Sequence, residues 1–450
     1  MKKTFLLTLL GATALAVNAE AATIFEAMGS AYTNNPTLQA QRAYVRAIDE
    51  NVAIAKSGYR PTLAVVGSYS DSHVHNDVVE VQDGYDESVA AVVNQPIFNG
   101  FATRNSVKAA GASVKAEQSN LYNVEQQVLL SASTAYLNVL RDESIVKLQK
   151  NNEKLLKKRM EETKERFNVG EVTRTDVSQS EARYSQARSD RIAAEGSLAA
   201  SKAIYVQVIG HEPEGLEEPV GIADMFPKSI EDAINYARGN NYALKAAKEA
   251  LNAQSYTVAA NTGALLPQVN FEATAARGQT QSYTTKDPET NSFKWGVNMT
   301  VPLYDAGENR AKIRQSKYKK WQAQEAVMEA ERSMISSVSS NWEYMIANQA
   351  KIASVKDQIR AYAIALDGVQ QEEALGNRTV LDVLDAYQSL LNSNVEEVQA
   401  RRDYYVSGMQ LLLSMGRLTA KDLNLSVDLY NAEKHSEKTA GRWLSLSVDK

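Results

Sequence analysis

Apolar residues fall at strict sevens through the first half of the chain, at Val107, Val114, Leu121, Val128 and Ala135. After a step of four, Val139, Val146, Met160 and Phe167 resume the spacing, which fails only at Glu153. A heptad run with one stutter is the pattern of a helix packed along a long neighbour. No proline occurs in 97–212 or after 302, and an interior proline costs a helix about 3 kcal/mol. The pattern predicts one helix over 103–169 and a second in the equally long stretch 309–375. At about 1.5 Å per residue, each would be roughly 100 Å long. Val169-Gly170 and Leu375-Gly376 end them, because glycine supplies the left-handed residue after a helix. Thr or Asp in the following residues can cap return helices at about 177–209 and 383–415. Shorter helices are predicted at about 23–57 and 229–262. The first is expected to break at Asn35-Pro36, a cap followed by proline at the first helical position.

A second period, of two residues, marks four strands at about 61–72, 86–96, 267–276 and 292–301. Val269, Phe271, Ala273 and Ala275 alternate with Gln268, Asn270, Glu272 and Thr274. Phe293, Trp295, Val297, Met299 and Val301 alternate with Lys294, Gly296, Asn298 and Thr300. The first pair is weaker, carried by Leu63, Val65 and Tyr69, then Val89, Ala91 and Val93. The polar stretches 70–87 and 276–291 are read as hairpin loops. Such alternation also suits a soluble sheet. Strands of about ten residues tilted near 45° would alternatively cross an outer-membrane apolar layer of roughly 25 Å. Four strands cannot close a barrel, and an open edge is not tolerated in lipid. A membrane reading therefore needs several chains, about eight strands giving a filled interior and about twelve giving room for a lumen.

Both patterns occur twice, at a spacing of 206 residues: Pro61 with Pro267, Pro96 with Pro302, Arg104 with Arg310, Gly170 with Gly376, Thr173 with Thr379, Asp176 with Asp382, and Gly210 with Gly416. What the halves share is punctuation, which fixes element lengths and marks a duplicated unit. The chain then divides into a signal segment 1–21, a first repeat 22–226, a second repeat 227–417 and a polar tail 418–450. Lys2 and Lys3, an apolar stretch 5–17 and Ala19-Glu20-Ala21 carry the secretory signal.

Composition narrows the function by exclusion. The chain has no cysteine, so disulfides, thiolate chemistry and a lipidated cysteine are not expected. A hydrophobic content of 44% with only 7% aromatics suggests packing through small residues rather than one thick core. The net charge of −5 comes with no basic block, so nucleic acid is not an expected partner. His73 and His75, among Asp71, Asp77, Glu80, Asp83, Asp86 and Glu87, read as a solvated loop rather than a cation site. No phosphate-binding glycine loop, metalloprotease helix or serine elbow occurs, so no enzyme, cofactor or metal centre is expected. Asp382 and Asp385 stand out, since their i, i+3 spacing shares one helix face just after a turn. In a single chain such a pair caps and solvates; under three-fold symmetry it becomes a ring of carboxylates, and such rings select cations.

These features together resemble the TolC family of outer-membrane channel proteins. The resemblance covers about 22–420. It is carried by Asn94-Gln95-Pro96-Ile97-Phe98-Asn99-Gly100, Val301-Pro302-Leu303-Tyr304-Asp305-Ala306-Gly307, Val169-Gly170 with Thr175-Asp176-Val177, and Gly376-Asn377-Arg378-Thr379-Val380-Leu381-Asp382-Val383-Leu384-Asp385-Ala386. It implies a mainly α chain with a small β part, forming as a homotrimer a twelve-stranded outer-membrane β-barrel continued by a long periplasmic α-helical barrel. It further implies docking to a periplasmic adaptor and an inner-membrane transporter, and export of proteins or drugs without a cofactor. Asp382 and Asp385 match the aspartates of the periplasmic constriction. Arg378, Thr175 and Asp176 match the links that hold that end closed. Val169, Gly170, Leu375 and Gly376 match the turns that meet the adaptor. Glu373 departs from the family, whose best-known member has there a tyrosine linked to the position of Asp176; two carboxylates would repel. The competing readings are a periplasmic adaptor, which would carry one hairpin flanked by lipoyl-like β segments, and a soluble coiled-coil protein, which leaves the strands unexplained.

Overall fold

A computed structural model of the protein describes residues 23–74, 82–282 and 289–448. The expected signal segment 1–21 lies outside the described residues, as do His75, Asp77 and Glu80.

Asn35 ends one helix and caps the next, and its counterpart Asn241 does the same 206 residues later. The asparagines separate α1 (Ile24–Asn34) from α2 (Pro36–Ser57) and α5 (Ile230–Asn240) from α6 (Tyr242–Gly263). Each accepts a hydrogen bond from the backbone of its new helix and donates its amide to the end of the return helix, Asn35 to Val208 O at 3.0 Å and Asn241 to Ser414 O at 2.8 Å. The long helices are α3 (Ala102–Asn168) and α7 (Glu308–Ala374), of 67 residues each. The return helices are α4 (Arg174–Ile209) and α8 (Val380–Met415). They start three residues before the expected positions, because Thr173 with Asp176 and Thr379 with Asp382 form complete capping boxes.

The turns at the far end are closed by matching bonds. Gly170 N donates to Phe167 O and Glu171 N to Arg166 O, while Gly376 N donates to Glu373 O and Asn377 N to Glu372 O, all at 2.9 Å. Gly416 serves a different need. At φ 79°, an added Cβ would also stand 2.4 Å from Asn240 O, so the return helix can meet α5 only through glycine.

Four strands, β1 (Thr62–Val74), β2 (Gln82–Asn99), β3 (Gln268–Ser282) and β4 (Thr290–Thr300), form one antiparallel sheet in chain order. The β2–β3 pairing joins the repeats. Directly paired residues share a face, and the register gives Leu63 opposite Val93, Val93 opposite Ala273, and Ala273 opposite Trp295. One row over, Val65, Ala91, Ala275 and Phe293 line up in the same way. One apolar face thus runs across all four strands, while Asn94, Glu272, Thr274 and Lys294 occupy the other. β2 is longer than expected, since polar residues read as loop still pair, as Asp71 does with Tyr85. It also takes in Pro96, which sits where the register shifts, between Pro96 and Phe98.

The core lies midway along the molecule, where α1, α3, α4, α5 and α8 meet around Leu129, Tyr136, Tyr205, Met409 and Leu412. The expectation of a polar tail from 418 is corrected there. Leu418, Ala420, Leu423 and Leu425 are buried in that core. Leu418 N donates to Gln126 Oε1 and Ala420 N to Glu125 Oε1 at 2.8 Å. A further helix, α9 (Ala432–Thr439), packs on α2. The apolar residues of 418–425 follow neither period and were hidden by that. Among the described residues no helix is long and apolar enough to cross a membrane.

Candidate functional site

The candidate site is the end of the molecule farthest along the long helices, where α3 turns into α4 and α7 into α8. Val169 and Leu375, equivalent in the two repeats, are exposed beside Gly170 and Gly376. An added Cβ at either glycine would meet nothing, so both are glycine for their positive φ alone. Behind the turns the hairpins are joined by a small buried cluster of Leu156, Ala187 and Leu384, with Val380 against it.

Asp382 accepts from Thr379 N at 2.9 Å and from Thr379 Oγ1 at 2.8 Å through one carboxylate oxygen. The backbone N–H of Thr379 first, then its hydroxyl and the charge of Arg378, hold this carboxyl below the usual range. Asp382 is therefore a cap and a partly exposed anion at once. Asp385, one turn on, forms an ion pair with Arg183 of α4. Asp176 caps its own helix through Thr173 N at 2.8 Å. Arg378 pairs with Glu372 at 2.8 Å, so within one chain it bonds neither Thr175 nor Asp176. Glu373 is bound by Arg166, which also reaches Glu171 at 3.2 Å.

Sequence reasoning missed three arginines that organise this end. Arg183 and Arg166 join the two hairpins by ion pairs. Arg159 donates to Tyr387 Oη at 3.3 Å, and Gln370 donates to the same hydroxyl. A cavity of about 270 Å³ between the hairpins is lined by Arg159, Glu162, Arg166, Glu373 and Val383. Among the described residues no group of three or more His, Asp or Glu is arranged to hold a metal ion. The arrangement offers fixed anions, cations bound to some of them, and no nucleophile–base pair. It suits a charged constriction.

The sequence model of the outer membrane efflux protein family fits the chain twice, over 27–211 and 233–417. The chain belongs to that family. Both limits of the second match lie 206 residues after those of the first, the spacing seen in the sequence and the helices. The outer membrane efflux protein BepC of Brucella suis is 37% identical over 94% of this chain and 92% of its own. The outer membrane protein TolC of Escherichia coli K12 is 25% identical over 90% of this chain and 84% of its own. The Campylobacter jejuni CmeC outer membrane channel superposes with a TM-score of 0.80 at 16% identity, over 93% of this chain and 89% of that one. The protein is therefore a mainly helical outer-membrane protein of the TolC family, an efflux or secretion channel component. Its relatives are channel proteins rather than enzymes. The periplasmic-adaptor and soluble coiled-coil readings are set aside.

Proposed function

We propose that three copies of the chain form one passive exit duct, about twelve strands closing the barrel in the outer membrane and the long helices continuing it through the periplasm. The observation that carries this is the state of the sheet edges. β1 and β4 are both edge strands, and the apolar residues on them are open, Leu63 at 72% and Trp295 at 68% exposure. A long, apolar, unpaired edge is untenable in lipid and a hazard in water. Pairing β4 of one copy with β1 of the next removes every edge.

On this reading Asp382 and Asp385 form the cation-selective constriction at the periplasmic end. Arg378, Thr175 and Asp176 link neighbouring copies there, since Arg378 has no bond to the other two within its own chain. Val169, Gly170, Leu375 and Gly376 present the turns to a periplasmic adaptor, which couples the duct to an inner-membrane transporter. The choice of cargo, protein or small molecule, belongs to those partners. No cofactor is required, because flow is driven from the inner membrane.

A cysteine scan tests the assembly. β1 and β4 are separated by two strands in one chain, roughly 14 Å at the usual strand spacing, too far for a disulfide. Pairs with one cysteine in β1 and one in β4 should therefore cross-link only between copies. The expected product is a ladder that stops at three chains. A ladder ending at two, or none for any register, contradicts the proposal.

A further inference from the structure

Four large apolar side chains stand uncovered close to the start of β1. Trp443, Leu444, Leu446 and Val448 are all exposed, Leu446 completely. They follow α9, whose path along α2 is fixed by three contacts. His435 Nδ1 lies 2.6 Å from Asp49 Oδ2, Lys56 Nζ donates to Ala440 O at 3.0 Å, and the Arg60 guanidinium sits 5.5 Å from the Trp443 ring centroid. The segment thus climbs α2 from its middle to its end and reaches Arg60, two residues before β1 begins at Thr62. Leu63, the next residue, opens the apolar face of the sheet.

The segment also has the sequence of an interfacial element. Leu444, Leu446 and Val448 alternate with Ser445 and Ser447 behind a tryptophan, and the charges nearest the tryptophan are positive, Lys56, Arg60, Lys438 and Arg442, with Glu437 and Asp449 as the flanking acids. Tryptophan concentrates at headgroup level, and apolar residues beside basic ones bind the surface of anionic bilayers. Residues 443–448 can extend roughly 20–22 Å at most, enough to enter the headgroup–acyl boundary and too little to cross a bilayer core of about 30 Å.

We propose that residues 443–448 are an interfacial anchor, inserted into the phospholipid leaflet that surrounds the periplasmic base of the barrel, with Trp443 held at the boundary by Arg60. The occupant of this apolar patch is lipid, because Trp443 sits against Arg60, two residues before the strand that opens the membrane-facing side of the sheet. The proposal rests on the reading of that sheet as the membrane-embedded part.

The absence of cysteine from the sequence makes the test clean. Full-length protein with Leu446→Cys, Trp295→Cys or Glu437→Cys is labelled with an environment-sensitive fluorophore. Each is reconstituted into phosphatidylethanolamine–phosphatidylglycerol vesicles carrying spin-labelled phospholipid. The expected result is blue-shifted, strongly quenched emission at 446 and 295, and unshifted, unquenched emission at 437. Quenching at 295 but not at 446 overturns the anchor and leaves the membrane sheet standing. Quenching at neither contradicts both. Protection of the Leu446→Cys thiol from an aqueous reagent without lipid quenching means that a neighbouring copy covers the segment, and this too overturns the proposal. Leu444→Ser with Leu446→Ser and Val448→Ser, three exposed positions, should abolish quenching of a label at Ser445→Cys in folded protein.

Discussion

Arg183 on α4 and Asp385 on α8 form an ion pair that ties the return helices of the two repeats together within one chain. Both groups are partly exposed, so the pair adds little to stability, about 1 kcal/mol at most. Its weight lies in the electrostatics of the proposed constriction. Each copy then presents Asp382 as a partly exposed anion bonded to Thr379 and Asp385 as one partly neutralised by Arg183. Removing Arg183 should make the constriction more negative, whereas removing an aspartate should make it less so.

That difference gives a signed prediction. Unit charges about 6 Å apart interact by roughly 1–3 kcal/mol at an effective dielectric between that of water and 20. Arg183→Ala should raise cation selectivity and tighten block by multivalent cations from the periplasmic side by about tenfold, within that range. Asp382→Ala with Asp385→Ala should abolish the block and weaken selectivity. Planar-bilayer recordings check both. Opposite signs for the two variants are the expected outcome; no change in either places the narrow point elsewhere.

Arg378→Ser should instead raise single-channel conductance, because on the proposed reading it removes a link between copies rather than an anion of the constriction. Arg378 bonds Glu372 in its own chain, so Glu372→Gln gives the control. It breaks that local pair and should leave conductance near the wild-type value. Equal increases in both variants would mean that the local pair, not a link between chains, holds the end closed.

Much of this was legible in the sequence, for identifiable reasons. The long helices announced themselves through Val107 to Phe167 at sevens and through the prolines that avoid them. The turns were marked by Gly170 and Gly376, where only a positive φ is at stake. Pairing of polar residues such as Asp71 with Tyr85 was not legible, because their partners are set by register rather than by pattern. Nor was the burial of Leu418, Ala420, Leu423 and Leu425, in a short aperiodic stretch whose backbone is held by Glu125 and Gln126, almost 300 residues earlier. At the site, Asp382 and Asp385 could be picked out from their spacing, whereas Arg183 could not. One signal did exist. Moved back by 206 residues, Asp385 falls on Gln179, one helical turn before Arg183. Opposite charges so close in the repeat frame are readable once α4 and α8 are known to lie side by side.

Glu125 predicts a pH dependence. Burial pushes its carboxyl up to about 7 from 4.5, against the opposing bond from Ala420 N. The folded chain therefore holds a proton that the unfolded chain releases, and stability should fall as pH rises from about 4.5 to about 7. The full effect is on the order of 3 kcal/mol. Glu125→Gln keeps an acceptor for Ala420 N and should flatten this slope, raising the thermal midpoint at pH 8 but not at pH 4. An unchanged slope would mean that Glu125 stays charged in the fold.

Gly416 and Gly170 share a positive φ but not an environment. Gly170→Ala should cost only the left-handed strain, about 1–2 kcal/mol. Gly416→Ala adds a clash with Asn240 O and should cost more than that, read as a larger fall in thermal midpoint. Equal losses would show that α5 yields at no cost.

The facing of the strands can be read by thiol labelling. Cysteines at Phe293 and Trp295 should react poorly with a water-soluble reagent in vesicles, and cysteines at Lys294 and Asn298 should react well. The register extends this to β1, where Leu63 and Val65 should behave like Trp295. Equal reactivity of both sets would mean that the apolar face does not meet lipid.

The central claim is that the four-stranded sheet is one third of a closed barrel, and the mass of the detergent-solubilised protein tests it most directly. Light scattering corrected for bound detergent should give three chains in a monodisperse particle, with a helix-dominated circular dichroism spectrum. A monodisperse monomer that remains soluble without detergent would contradict the account.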